Sequence, residues 1–280
     1  METVVSSPTR QVVISDTRPT VLIGERINPT GKKKLAEALR AGDLEMVRQE
    51  ALDQVQAKAD ILDVNVGTTG VDEVALLPQA VRAVMDTVDV PLCIDSSNPR
   101  ALAAALKPYQ GKALVNSVTG QDESLNEVLP VVKEYQAAVI GLTMDEEGIP
   151  SSTDRRVSIA HKIVERAEAI GIPRQDVIID CLNMPAAADS QASLTIIQAI
   201  GRIKAELGVN MTLGASNISF GLPDRTLLNS AFLAIVIPLG VTCPVVDVAK
   251  VRASVLATDA LLGRDTYMKR YIQAYREHGK

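Results

Sequence analysis

The sequence predicts an α/β chain folded as a single (β/α)8 barrel, and three observations carry that expectation. The first is a set of eight short apolar runs rich in β-branched residues, beginning at Val21, Ile61, Pro91, Ala113, Ala137, Val177, Met211 and Cys243. Their apolar residues fall at successive positions, as a strand buried on both faces of a parallel sheet requires. The second is spacing: successive runs begin about 32 residues apart on average, room for a strand, a loop and a covering helix. The third is the helical periodicity of the intervals between them.

In chain order, residues 1–19 read as a short preamble placed across the barrel's lower mouth, and residues 20–280 as the barrel domain. The first run, VLIGERIN, leads into PTGKKK. That is not the G-x-G-x-x-G turn a doubly wound dinucleotide fold would need after its first strand. After ILDVNVG, the residues Val74, Leu77, Val81, Val84 and Val88 form one stripe of an amphipathic helix. PLCIDSS, ALVNSVT and AAVIGLTM follow. Ile159, Ile163, Ala167 and Ile170 then repeat the stripe, and Gly171 with Pro173 provides its stop. VIIDCL precedes Ser190, a helix cap for a stripe of Ile196, Ile200, Ile203 and Leu207. MTLGASNIS and CPVVDVA supply the last two strands. Eight alternations of this kind, without a linker-like shift in composition, are the pattern of a TIM barrel.

Composition narrows the function. Apolar residues at 46% and charged residues at 22% are ordinary globular usage, and a net charge of −5 lacks the footprint of a nucleic-acid or polybasic membrane binder. Two Phe, five Tyr and no Trp leave little for stacking a flat ligand, so a planar ligand would be gripped by hydrogen bonds. No early apolar segment reads as a signal peptide and none is long enough to span a membrane. Cys93, Cys181 and Cys243 are scattered, which fits a reducing cytoplasm better than a disulfide framework or a zinc site. With His161 and His278 the only histidines, neither a metal site nor histidine chemistry is expected. His161 reads as an exposed helical residue, and the cysteines as small buried hydrophobes.

In a parallel barrel the active site lies at the carboxyl ends of the strands, so polar residues ending apolar runs are the informative ones. Asp63 and Asn65 end the second run, Asp95 the third, Asn116 the fourth, Asp180 the sixth, Asn217 the seventh and Asp247 the eighth. Convergence of these groups implies a ligand or mutual hydrogen bonds. Asp63 and Asp247 read equally well as rim residues bonded to their neighbours. An aminopyrimidinone ring offers paired N–H donors to a carboxylate, and a ring nitrogen and a carbonyl to an amide, so this set fits a pterin better than a phosphate or a sugar.

The motifs GERIN (24–28), LDVNVG (62–67), CIDS (93–96), VNS (115–117), IGLTM (140–144) and GASNISFGLP (214–223) together resemble the pterin-binding methyltetrahydrofolate methyltransferases. That group includes the methyltetrahydrofolate:corrinoid protein methyltransferases and the folate domain of cobalamin-dependent methionine synthase. The resemblance runs through nearly the whole chain beyond residue 20, departing at Ala215 where the group usually has Leu. It implies a TIM-barrel homodimer that moves a methyl group between N5 of methyltetrahydrofolate and the cobalt of a corrinoid. It implies that Asp95, Asn116 and Asp180 hold the pterin edge, that Glu25, Asn28, Asp63, Asn65 and Arg225 complete the binding set, and that Asn217 hydrogen-bonds N5. The chain lacks the D-x-H-x-x-G signature of a cobalamin module, so the corrinoid is expected on a partner protein. Lys32, Lys33 and Lys34 read as a solvated loop, with a folate glutamate tail or an acidic partner as the functional alternative. Dihydropteroate synthase is the rival reading, disfavoured because Ser216–Ile218 and Pro244–Asp247 stand where its pyrophosphate-binding cations would. A pterin-binding barrel without catalysis is the third.

Overall fold

The protein, described here by a computed structural model over residues 1–187 and 191–278, places a strand in each of the eight apolar runs. The expected cap at Ser190 lies outside the described residues. A hairpin comes first, β1 (Thr3–Ser6) antiparallel to β2 (Gln11–Ile14). The barrel strands are β3 (Ile23–Ile27), β4 (Ile61–Asn65), β5 (Leu92–Asp95), β6 (Leu114–Thr119), β7 (Ala138–Leu142), β8 (Val177–Asp180), β9 (Asn210–Thr212) and β10 (Val245–Val246). All are parallel, in the order β10-β3-β4-β5-β6-β7-β8-β9. The remaining seam is narrow: Thr242 N–H donates to Met211 O at 2.9 Å and Val245 N–H to Leu213 O at 2.9 Å.

Helices α1 (Lys33–Arg40), α2 (Glu45–Gln56), α3 (Glu73–Met85), α4 (Pro99–Leu106), α5 (Asp122–Glu134), α6 (Thr153–Ala169), α7 (Ala192–Leu207), α8 (Arg225–Leu239), α9 (Val248–Leu261) and α10 (Lys269–His278) accompany the strands. Leu77, Val81 and Val84 of α3 are fully buried, Val74 is half-buried, and Val88 packs beyond the helix end. Ile159, Ile163 and Ala167 do the same on α6, and Gly171 at φ +89° ends that segment. His161 pairs with Glu206 across to α7 at 2.9 Å on the outside of the barrel.

The strands are buried on both faces, which is why their sequences do not alternate. Outward residues such as Leu62, Ile94, Val115 and Ile179 pack against the helix stripes. Inward, Ile23, Ile61, Cys93, Leu114, Ile178 and Cys243 form a second apolar cluster, joined by Val5, Val12 and Ile14 of the hairpin. The hairpin therefore covers the amino-terminal end of the barrel. Asn210 anchors it, donating from Nδ2 to Thr3 Oγ1 at 2.9 Å and to Ile14 O at 3.0 Å. Thr20 N–H and Oγ1 bond the buried Asp259 at 2.8 and 2.7 Å, tying the segment that leads into β3 to α9. With one end filled by hydrocarbon, a ligand has access to the barrel interior from the carboxyl end.

Candidate active site

Two residues above the inward apolar layer, the strands change chemistry. Side chains repeat every second residue on one face of a strand, so the inward positions above Ile23, Ile61, Cys93, Leu114 and Ile178 are Glu25, Asp63, Asp95, Asn116 and Asp180. These five residues, with Asn28, Asn217 and Arg225, line a cavity of about 640 Å³ at the carboxyl end. A groove of about 810 Å³ between α2, α9 and α10 shares none of these residues.

The β4–β6 side is interlocked. Asn116 Nδ2 donates to Asp63 Oδ1 at 3.1 Å, and Asn65 Nδ2 donates to Asp95 Oδ2 at 2.9 Å while its Oδ1 accepts Gly67 N–H at 2.8 Å. Asn65 does not line the cavity; with both ends of its amide in use, it orients Asp95 from behind. Burial pushes the Asp63 carboxyl up to about 6 against the opposing pull of Asn116. Asp95 is raised as well, by burial and then by the neighbouring Asp63 charge, since two adjacent buried carboxylates cannot both ionise cheaply. This side therefore favours sharing a proton between the two carboxyls over ionising both, and it presents acceptor oxygens in either state.

The β8 side is more open to a ligand. Asp180 Oδ1 accepts Leu182 N–H at 2.6 Å, yet burial still pushes the carboxyl up to about 7. Asn183, three residues beyond Asp180, donates Nδ2 to Gly214 O at 3.1 Å and leaves a buried Oδ1 with no partner. Asn229 on α8 likewise carries an unpartnered, buried Oδ1 in the cavity wall. Sequence reasoning singles out neither Asn183 nor Asn229. The signal for Asn183 is its place just past the sixth run; Asn229 stands only as a polar residue on an apolar helix.

Asn217 does not end a strand. β9 stops at Thr212, and Asn217 lies in a 3-10 turn spanning Ala215–Ser219, exposed at the cavity rim. Its side-chain amide has no hydrogen-bond partner among the described residues. Gly214 leaves room for that amide, because a Cβ there would sit 3.1 Å from Asn217 Nδ2. Ser216 Oγ donates to Glu25 Oε1 at 2.7 Å, and burial raises the Glu25 carboxyl. Arg225 holds the same turn, donating Nε to Ser219 Oγ at 3.1 Å and Nη2 to Ser216 O at 2.7 Å, with Phe220 5.9 Å from its guanidinium. Asn28 accepts Thr30 N–H at 2.9 Å. Asp247 is a rim residue held by Lys250 at 2.9 Å.

Cations do line the cavity, from positions outside the Ser216–Ile218 and Pro244–Asp247 stretches. Arg26 is clamped by Glu50 at 3.1 and 3.0 Å, Lys250 pairs with Asp247, and Lys32 donates to Arg26 O. The cysteines are all buried and free. Cys93 and Cys181 are pushed well above the ordinary thiol range by burial, and Cys243 to about 12, so none carries a reactive thiolate.

The model of the pterin binding enzymes matches residues 24–247, the span from the first site strand to the last. The chain belongs to the pterin binding enzyme family. Within it, the methylcorrinoid:tetrahydrofolate methyltransferase of Eubacterium limosum is 31% identical, the match covering 92% of this chain and 96% of that one. The methionine synthase of Mycobacterium tuberculosis (strain ATCC 25618 / H37Rv) is 32% identical over 82% of this chain, which spans only 20% of that longer protein. Among solved structures, dihydropteroate synthase from Thermus thermophilus superposes with a TM-score of 0.67 at 22% identity, covering 92% of this chain and 99% of that one. The Xanthomonas albilineans enzyme gives 0.68 at 18%, covering 94% and 99%. At those identities the two structures share the barrel fold with this chain. Among the described residues no helix is long and apolar enough to cross a membrane.

Proposed function

We propose that the protein moves a methyl group between N5 of methyltetrahydrofolate and the cobalt of a corrinoid carried by a partner protein. The observation that carries this reading is the ring of Asp63, Asp95, Asn116 and Asp180 set below an unengaged Asn217 amide. Neighbouring N–H donors of a pterin edge stabilise the ionised form of a desolvated carboxylate, so the ligand offsets the cost of keeping Asp95 and Asp180 out of water. Asn116 presents an amide oxygen beside them, and the unpartnered Oδ1 atoms of Asn183 and Asn229 are further acceptors.

A tertiary amine is a poor leaving group until its nitrogen gains a proton or a strong hydrogen bond. Asn217, at the rim and free to turn, stabilises N5 as charge develops there. The corrinoid supplies the nucleophilic or methyl-bearing metal. Among the described residues no His or Cys lines this cavity, so the donor set fits an arrangement in which the partner holds the corrinoid and presents it at the mouth. Displacement of pyrophosphate, the dihydropteroate synthase reaction, would instead call for a cluster of uncommitted cations; here Arg26 and Lys250 are paired with carboxylates, and Lys32 and Arg225 are engaged by backbone carbonyls, Arg225 by the Ser219 hydroxyl as well.

Single-turnover mixing with a reduced corrinoid protein tests the reading. Asn217→Ala should slow transfer by about a hundredfold while weakening methyltetrahydrofolate binding much less. Transfer at the parent rate under saturation would remove Asn217 from the mechanism.

Two further features belong to this proposal. The chain is a homodimer joined through α8, whose outward face shows Leu227, Leu228, Ile235 and Leu239, with no charged residue between Arg225 and Asp247. Sedimentation equilibrium at micromolar concentration should give twice the chain mass, and a monomer there would refute it. Three buried, unpaired thiols suit a cytoplasmic protein.

A further inference from the structure

Beside the pterin cavity lies a second trough, of about 600 Å³, running along the start of α1 toward the loop after β4. The two hollows share a lip at Thr30, Gly31 and Lys32, where Gly31 at φ +73° turns the chain. Lys32, Lys33 and Arg40 stand against a single carboxylate, Glu37, in its walls. Arg40 is fixed in place, donating Nε to Thr69 O at 3.0 Å and Nη2 to Thr68 Oγ1 at 3.5 Å. Neither Lys33 nor Lys34 has an ion-pair partner among the described residues, and both are exposed. The other walls are Pro29, Thr30, Ala36, Thr68, Thr69 and glycine backbone, with no aromatic, Leu, Ile or Val side chain.

Such a surface suits a narrow chain of amides and carboxylates. It lacks the apolar centre that a protein interface places at its core. We propose that the trough receives the γ-linked glutamate tail of the folate, and that the protein thereby selects folates carrying several glutamates. This rests on the methyltetrahydrofolate reading above. A folate with its pterin on Asp95, Asn116 and Asp180 must send its far end out through the mouth. At the lip formed by Thr30–Lys32 the pterin cavity opens into this cationic trough. Each added glutamate brings a carboxylate toward Lys33 and Arg40, whose attraction is unspent within the chain.

The test is calorimetric titration of the full chain with methyltetrahydrofolate bearing one glutamate and bearing five. The pentaglutamate should bind about fivefold to tenfold more tightly at low ionic strength, with the ratio shrinking as salt is added. In Lys33→Gln/Arg40→Gln, confirmed folded by circular dichroism, the ratio should fall to near one. Equal affinities in the parent chain, or a preference that survives the double substitution, would overturn the proposal while leaving the pterin site intact. Failure of either folate to bind would instead strike the underlying reading. Slower transfer from the corrinoid protein in the double variant, with no dependence on tail length, would assign the trough to an acidic face of that partner and likewise overturn the proposal.

Discussion

The two ends of this barrel are built from the same strands and differ in what they leave unsatisfied. At the amino-terminal end the inward layer is hydrocarbon and thiol, covered by Val5, Val12 and Ile14, and Asn210 spends both of its N–H groups on the hairpin while its buried Oδ1 stays sealed in without a partner. One layer up, four desolvated carboxyls, those of Glu25, Asp63, Asp95 and Asp180, are held above their ordinary proton affinity, and two buried amide oxygens have nothing to accept. The first end is arranged for folding. The second gathers several such polar groups around a cavity where a bound partner can reach them, which is the mark of a binding site.

Removing the covering hairpin should produce the largest effect. Val5, Val12 and Ile14 are buried, and at roughly 1.5–3 kcal/mol for each such side chain their loss approaches the whole stability of an ordinary domain. A chain lacking residues 1–19 should show no cooperative transition in differential scanning calorimetry. A sharp transition near the parent temperature would mean the lower layer seals itself.

Next in size is a substitution at the opposite end that should stabilise the ligand-free protein. Asp180 has a folded-state pKa of about 7 against an ordinary 3.8, so the native state binds its proton more tightly than the unfolded chain does. Its contribution is therefore greatest below pH 4 and is lost as pH rises toward 7, a difference on the order of a few kcal/mol. Asp180→Asn keeps an oxygen for Leu182 N–H and removes this penalty. The variant should melt higher than the parent at pH 8, by a margin that narrows toward pH 5, while binding folate more weakly. A variant that melts lower at pH 8 would show that the ionised carboxyl is a stabilising group.

The smallest effect sharpens the same comparison through the ligand. If folate donors prefer ionised Asp180, binding must expel its proton below about pH 7, and affinity should fall by up to about tenfold per pH unit there. Calorimetry in buffers of different ionisation enthalpy should record that proton release in the parent and less of it in Asp180→Asn. Affinity that is flat between pH 6 and 8 would mean the carboxyl binds in its protonated form.

Much of this was readable in one dimension because strand geometry is periodic. An apolar residue facing the barrel interior places the residue two further on at the same face, so Ile61–Asp63, Cys93–Asp95, Leu114–Asn116 and Ile178–Asp180 announce a polar ring over an apolar floor. Asn217 broke that rule. Its strand ends five residues earlier, and a 3-10 turn carries the amide to the rim, a boundary that a run of small and polar residues does not mark. Asn65 followed the rule and still missed the cavity, because its amide is consumed by Asp95 and Gly67.

Local pattern was thus sufficient for the eight strands, the covering helices and the identity of the acids, since burial on two faces and a repeat of two residues leave their trace in neighbouring positions. Which of those acids share a proton, which amides are spent and which are free, and which cations are neutralised depend on contacts between residues far apart in the chain. Ser216 meets Glu25 across 191 positions, and Asn116 meets Asp63 across 53. A hydrogen bond is a distance in space, and closing the barrel is what brings those distances into being.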